Sequence, residues 1–191
     1  MITAPDTILT PRLTLSRHVR ADAEDIFRTY ARDPEATRYL LWRPDGTLAQ
    51  VEEYLAGVVA LWESGSSFAW AIRLRPAGTF VGTIEARIDA YMVNISYVIG
   101  SAERNRGYAT ESVKGVCAWA GAEPDVFRIW AVCAADNAAS VRVLEKAGMT
   151  REGLLRRWAV FPNLGGAPVD CYSYACVRDG VPGEVSPSPF L

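Results

Sequence analysis

Histidine is almost missing from this chain: among 191 residues there is one, His18. That scarcity argues against a histidine-based catalytic triad and against a multi-histidine metal site, and no metal is expected. His18 lies in an arginine-flanked segment, residues 16–20, where a strand-like run ends, and it reads as a structural residue. Catalysis is then left to carboxylates, hydroxyls, phenols or backbone groups. Cysteine is sparse and unpatterned. Cys117, Cys133, Cys171 and Cys176 form no CxxC spacing, and Cys171 and Cys176 stand an odd number apart in a strand-like run, which sends them to opposite faces of a sheet. All four are expected to be reduced and mostly buried. No run of eighteen apolar residues exists, and the opening MITAPDTILT lacks the basic and apolar regions of a signal peptide. A cytoplasmic protein without membrane partners is expected. Neither sign of charge dominates. A net charge of −2 and a pI near 5.5 argue against a general nucleic-acid surface, so no nucleic-acid partner is expected.

What the chain does have is a globular composition, half hydrophobic and 22 % charged. At this length a single domain over residues 1–179 can bury roughly 70 % of its unfolded surface without staples. Residues 180–191, rich in Pro, Gly and Ser, read as a loose tail or an arm laid on a neighbour. Residues 12–16 alternate as a strand, and a helix follows over residues 21–31 with Asp22 as its N-cap. Asp33 and Pro34 break it. An aromatic-rich stretch, residues 38–44, leads to Thr47, the N-cap of a helix over residues 48–64 whose stripe Val51, Tyr54, Leu55, Val58, Val59 and Trp62 reads as core. Residues 67–75, 79–89 and 91–100 are strand-like runs joined by close turns, which makes an antiparallel meander. A helix over 108–122, a strand over 127–134, a helix over 138–147 and strands over 152–160 and 169–177 complete an α+β domain.

Between the third meander strand and the helix after it stands Arg104-Asn105-Arg106-Gly107-Tyr108-Ala109-Thr110. Gly107 can take φ > 0 and admit a ligand close to the backbone, while the first free N–H groups of the helix point into the turn. An anion there meets those donors and the positive end of the helix dipole, worth roughly 0.3 to 1 kcal/mol per charge when exposed. Taken alone, the turn reads first as a surface αL turn with solvated arginines, and only its context can lift it above that.

The order strand, helix, helix, meander, RxxGxA turn, helix, strand, helix, two strands resembles the GNAT superfamily of acyl-CoA-dependent N-acyltransferases over residues 8–178. The opening LTPRLTLSRHVRADAEDIF is similar to the RimJ/RimL-type branch, as are Asn137-Ala138-Ala139-Ser140 followed by Val143-Leu144-Glu145-Lys146-Ala147-Gly148-Met149, and Glu152-Gly153-Leu154-Leu155-Arg156. Asp170 falls where that branch usually carries an aspartate. The resemblance implies a seven-stranded, mixed but mostly antiparallel sheet, helices on both faces, and a splay between the fourth and fifth strands.

The resemblance also implies acetyl-CoA as co-substrate. Its pantetheine would pair with backbone groups at Tyr97, Val98 and Ile99. Its pyrophosphate would meet backbone N–H groups at Asn105, Arg106, Gly107, Tyr108, Ala109 and Thr110, with charge from Arg104 and Arg106. Asn137 has a second reading as an ordinary N-cap, with Ser140 in the same capping network. The resemblance adds CoA or water contacts for Asn137 and places Ser140 near the thioester sulfur.

Direct attack by an amine needs an oxyanion donor, such as the Ile99 N–H, and a proton for the thiolate. Many relatives use a tyrosine for that proton. Leu144 stands at its position here, so Ser140 is the candidate. Asn94 replaces the glutamate that many relatives use as base; Glu85 and Glu103 remain open, each also readable as a surface carboxylate. At pH 7 an α-amine is roughly 15 % neutral and a lysine amine roughly 0.04 % neutral, a difference of about 3 kcal/mol. A weak base therefore favours an α-amine, on a protein N-terminus or a small amino compound. Trp42 and Trp158 are candidate walls of the acceptor cleft, with the residues 161–168 hairpin loop as a further determinant, and the other tryptophans are expected in the core. A CoA-binding module without turnover and a homodimer both stay open.

Overall fold

A computed structural model describes residues 2–43 and 47–178. The expected tail, residues 180–191, lies outside the described residues. Among the described residues eight strands build one sheet: β1 (Thr7–Leu9), β2 (Leu13–Arg17), β3 (Ser67–Leu74), β4 (Thr79–Asp89), β5 (Met92–Ile99), β6 (Arg128–Ala134), β7 (Thr150–Val160) and β8 (Pro168–Val177). Their spatial order is β1-β2-β3-β4-β5-β6-β8-β7. Seven strands were expected. The additional one, β1, has only three residues, too few for an alternation to show, and it exists because β2 pairs with it from Thr7 against Ser16 to Leu9 against Thr14.

The helices are α1 (Ala23–Ile26), α2 (Pro34–Thr37), α3 (Leu48–Glu63), α4 (Tyr108–Ala122) and α5 (Ala138–Lys146). The continuous helix expected over residues 21–31 is broken into a 3-10 turn (Arg20–Asp22), α1 and a π-helical turn (Phe27–Ala31). Asp22 does not cap α1. Its carboxylate is occupied by the Val19 N–H (3.0 Å), His18 (2.8 Å) and Arg73 (2.6 Å). The wider π turn ends with Tyr30 and Ala31 buried against the sheet. Asp33 breaks the run as expected and starts α2, accepting the N–H groups of Glu35 and Ala36.

Alternation along the strands sorts the core into two faces. On one, Ile84, Ala86, Val93 and Ile95 pack with Val113, Val116 and Ala120 of α4 and with Leu144 of α5. On the other, Ala69, Ala71 and Phe80 pack with Ile26, Tyr30, Leu55 and Val58. Trp62, Phe68, Trp70 and Trp119 meet edge-on or tilted in the first core, with Trp62 and Trp70 buried as expected.

Every strand pair is antiparallel except β5 with β6. That parallel pair holds only at Met92, Val93 and Asn94, opposite Arg128, Ile129 and Trp130. Beyond Asn94 the two strands part, which is the splay expected between the fourth and fifth strands of a seven-strand count. The Asn94 amide donates to the Trp130 carbonyl (3.4 Å) at the last paired position. A gap in the sheet opens from there toward Ile99. No described helix is long and apolar enough to cross a membrane.

Candidate active site

The splay opens into a cleft of about 1160 Å³ that reaches both faces of the sheet. On the α4 and α5 face it is lined by the turn before α4 and by Asn137 and Ser140 of the α5 N-terminus; on the α3 face, by Thr83, Glu85 and Ser96. Its rim carries Trp42 and Trp158. Every candidate residue except Arg106 thus borders one cavity.

The turn owes its shape to two left-handed residues. Asn105 has φ +63° and Gly107 φ +82°, and Gly107 is the N-cap of α4 without a side-chain cap. The first N–H to bond inside the helix is that of Glu111, to the Gly107 carbonyl at 3.0 Å. Those of Tyr108, Ala109 and Thr110 precede it at the positive end of the helix, an arrangement suited to a polyanion.

What holds the turn in place escaped the sequence reading. Glu111 accepts from the Thr10 hydroxyl (2.6 Å), the Arg12 N–H (2.8 Å) and the Arg12 Nε (2.7 Å). Arg12 also donates to the Arg106 carbonyl (3.0 Å), and its guanidinium lies over the Tyr108 ring at 5.0 Å. Burial pushes the Glu111 carboxyl up, but the hydrogen bonds from Thr10 and Arg12 outweigh it, and the group is held below its ordinary range. The two arginines of the turn are themselves engaged. Arg104 donates to the Glu35 carbonyl of α2 (2.9 Å), and Arg106 pairs with Glu103 (3.1 Å). Glu103 is therefore committed to the turn.

Where the strands part, Gly82 of β4 permits a close approach. A Cβ there would lie 2.2 Å from the Val98 carbonyl oxygen. That carbonyl points toward β4, so across the same planar peptide the Ile99 N–H points away from β4, toward the splay. In the sequence, residues 79–89 read as a strand and Gly82 went unremarked; a glycine inside a strand pattern is the signal that could have marked it.

Tyr97 and Ser140 meet across the cleft. Their hydroxyls are 2.6 Å apart, and the Ser140 N–H donates to the Asn137 side-chain oxygen at 3.1 Å. Asn137 is thus the α5 N-cap, and the cap fixes the turn that carries Ser140. Tyr97, expected to contribute only backbone, contributes its phenol. Burial raises that phenol's pKa, opposed by the hydrogen bond with Ser140, so it stays protonated. Leu144 is buried in the core and presents no proton.

On the other face, Glu85 accepts from Ser67 (2.6 Å), Arg87 (3.1 Å) and Ser96 (3.3 Å). Above it, Trp42 stacks on Tyr54 at 5.5 Å, while Trp158 is 55 % exposed on β7, the edge strand. The residues 161–168 loop is pinned to this rim. Asn163, which the sequence reading passed over, donates to the Thr37 (2.8 Å) and Trp42 (3.1 Å) carbonyls, and Phe161 packs edge-on against Tyr39. Asp170 fixes the β7 bulge by accepting the Arg157 N–H at 2.8 Å. Among the described residues no group of His, Cys, Asp or Glu is arranged to hold a metal ion.

Residues 12–150 match the acetyltransferase (GNAT) domain model. The chain is 31 % identical to the uncharacterized N-acetyltransferase YoaA of Bacillus subtilis, over 88 % of this chain and 95 % of that protein. Its fold is similar to that of RimL, the ribosomal L7/L12 alpha-N-protein acetyltransferase, solved with coenzyme A: TM-score 0.81, 18 % identity, 91 % of this chain and 98 % of that one. It is also similar to the microcin C7 self-immunity acetyltransferase MccE, solved with acetyl-CoA and AMP: TM-score 0.83, 17 % identity, 92 % and 98 % covered.

Proposed function

The chain belongs to the GNAT acetyltransferase family, which makes it an acyl-CoA-dependent N-acyltransferase, and on that premise we propose that it acetylates an α-amine. The acceptor would be a protein N-terminus or a small amino compound. The observation that carries the transfer chemistry is the Tyr97–Ser140 hydroxyl pair at 2.6 Å, bordering the same cleft as the turn at residues 104–110.

In this reading the CoA pyrophosphate sits on the N–H groups between Asn105 and Thr110, and the pantetheine occupies the splay beside Tyr97, Val98 and Ile99. A strand-like arm of amides suits a gap whose backbone groups have lost their ladder partner. The Ile99 N–H, aimed into that gap, takes the developing oxyanion. Attack at the carbonyl carbon gives an adduct whose collapse breaks the C–S bond; the thiolate takes a proton from Ser140, Ser140 takes one from Tyr97, and Tyr97 takes one back from water in the cleft. Arg104 acts by anchoring the turn to α2, and Arg106 by closing it through Glu103.

Glu85 suits an electrostatic role better than that of a strong base. Ser67, Ser96 and Arg87 already donate to it, which occupies lone pairs that a base would need for the incoming proton. A fixed negative charge draws in an ammonium without removing its proton efficiently. A partly neutral α-amine is the acceptor such a site tolerates. RimL, with the same fold, is an alpha-N-protein acetyltransferase, which supports the class. Trp42 and Trp158 would flank the residue that follows the amine.

The test is thiol release from acetyl-CoA with two matched peptides. One has a free N-terminus and acetylated lysines; the other has a blocked N-terminus and one free lysine. The first should be turned over at least tenfold faster. Equal rates, or a faster lysine peptide, would overturn the α-amine reading.

A further inference from the structure

No group is assigned above to remove the acceptor's proton, and the chain's only histidine lies buried within reach of the cleft wall. His18 is 2 % exposed at the end of β2. Its Nδ1 is 2.8 Å from Asp22 Oδ2, and its Nε2 is 3.2 Å from Thr83 Oγ1. Thr83 Oγ1 is in turn 3.1 Å from the Tyr30 hydroxyl. Thr83 and Tyr30 both line the cleft.

Chemistry gives these contacts a direction. The Asp22 carboxylate only accepts: Oδ2 also takes the Val19 N–H and Oδ1 takes Arg73. His18 therefore carries its hydrogen on Nδ1, and a neutral ring presents a lone pair at Nε2. Thr83 must spend its one proton on that lone pair. Tyr30 must then donate to Thr83, which leaves the phenol oxygen with a lone pair for a donor in the cleft. Every link runs the same way, from the cleft toward His18.

We propose that this Tyr30–Thr83–His18 chain takes the proton of the acceptor ammonium, with Asp22 orienting and stabilising the ring that receives it. The proposal rests on an amine being the acceptor. Glu85 stands two residues from Thr83 on the same face of β4, about 7 Å along the strand, so an ammonium drawn to Glu85 lies beside the start of the chain. The ammonium N–H gives its proton to Tyr30 Oη as the Tyr30 proton passes to Thr83 Oγ1 and the Thr83 proton to His18 Nε2. The nitrogen lone pair so released forms the C–N bond, the C–S electron pair leaves with the thiolate, and the nitrogen sheds its second proton to water in the cleft, which balances the proton that Tyr97 takes back after supplying the thiolate through Ser140. After the products depart, the imidazolium returns its proton along the same chain to water.

The groups that set the charge around His18 come from five elements. They are Asp22 of the 3-10 turn, Arg73 of β3 (which also pairs with Asp25 of α1), Thr83 and Glu85 of β4, and Tyr30 of the π turn. Burial, with the charges of Asp22 and Glu85, raises the Tyr30 phenol against the opposing effect of its hydrogen bond with Thr83, so Tyr30 relays a proton without standing ionised. His18 touches no substrate and acts only through the two hydroxyls.

Two measurements test this, and they separate it from the function it rests on. The first needs no substrate. With one histidine in the chain, 15N NMR of histidine-labelled protein reads a single ring, and it should show the proton on Nδ1 and a lone pair on Nε2 of the neutral ring. A proton on Nε2 would overturn the chain whatever the enzyme acetylates. The second uses acetyl-CoA and an N-terminal serine tetrapeptide with wild type, Thr83→Val and Thr83→Ser. Thr83→Val should lower kcat on the order of 100-fold with KM for acetyl-CoA unchanged. Its kcat/KM for the peptide should climb tenfold per pH unit toward the amine's own pKa, where wild type is flat. Thr83→Ser keeps the hydroxyl and should restore both rate and profile. An active Thr83→Val with the wild-type profile, or a Thr83→Ser as impaired as the valine, would overturn the proposal. No turnover of the peptide by wild type would instead count against the proposed acceptor, and the NMR result would still decide the chain.

Discussion

The two ends of the cleft are built from different materials. The end assigned to the donor is backbone: N–H groups at the start of α4, a glycine N-cap at φ +82°, and the Ile99 peptide turned by Gly82. Side chains there serve as braces, with Arg12 and Glu111 holding the turn from outside. The end assigned to the acceptor is side chains on a wet rim, Trp42 on Tyr54 and Trp158 on an edge strand. A backbone site tolerates few substitutions because each residue serves through its conformation. A side-chain rim can be rewritten without disturbing the sheet. One fold therefore keeps its donor while changing its acceptor.

The largest break in this contrast should come from Gly107→Glu, which places a strained side chain and a negative charge where the pyrophosphate is expected. A Cβ at this position already meets the Arg12 guanidinium at 3.3 Å. The acetyl-CoA Kd should rise on the order of 100-fold, about 3 kcal/mol, in a calorimetric titration. Next, Ser140→Ala and Tyr97→Phe should each lower kcat roughly 10- to 100-fold with the CoA Kd within a few-fold of wild type. Because the two hydroxyls act as one unit, the double variant should be little worse than the worse single one.

A smaller effect tests the brace. The folded state holds Glu111 below its ordinary range, so its stabilising contribution is complete above the unfolded glutamate pKa, about 4.3, and is lost as pH falls through the lower folded value. Glu111→Gln should therefore lower the melting temperature at pH 7 and converge with wild type in acid. The smallest effect belongs to the rim: Trp158→Ala should shift the acceptor KM a few-fold and leave the CoA Kd unchanged.

Legibility in the sequence followed the same division. The turn and the α5 cap are local patterns, so adjacent residues state them. The brace joins Arg12 to Glu111 across 99 residues, and the Tyr97–Ser140 pair spans 43. No local period records such contacts. Strand β1 was too short to show alternation, and the π turn at Phe27–Ala31 has the same apolar spacing as the helix it replaces. Asp22 looked like a cap because it precedes a helix, but its carboxylate serves His18 and Arg73. Glu85 was visible as a carboxylate on a strand, while two of its three donors, Ser67 of β3 and Ser96 of β5, come from strands that only the sheet brings together.

The most direct measurement is a crystal structure with CoA bound. The diphosphate should lie within hydrogen-bonding distance of N–H groups between Asn105 and Thr110, with the pantetheine in the splay and its sulfur beside Ser140. A diphosphate seated instead in the shallower depression flanked by Lys114 and Lys146, with the space between β5 and β6 empty, would contradict the account.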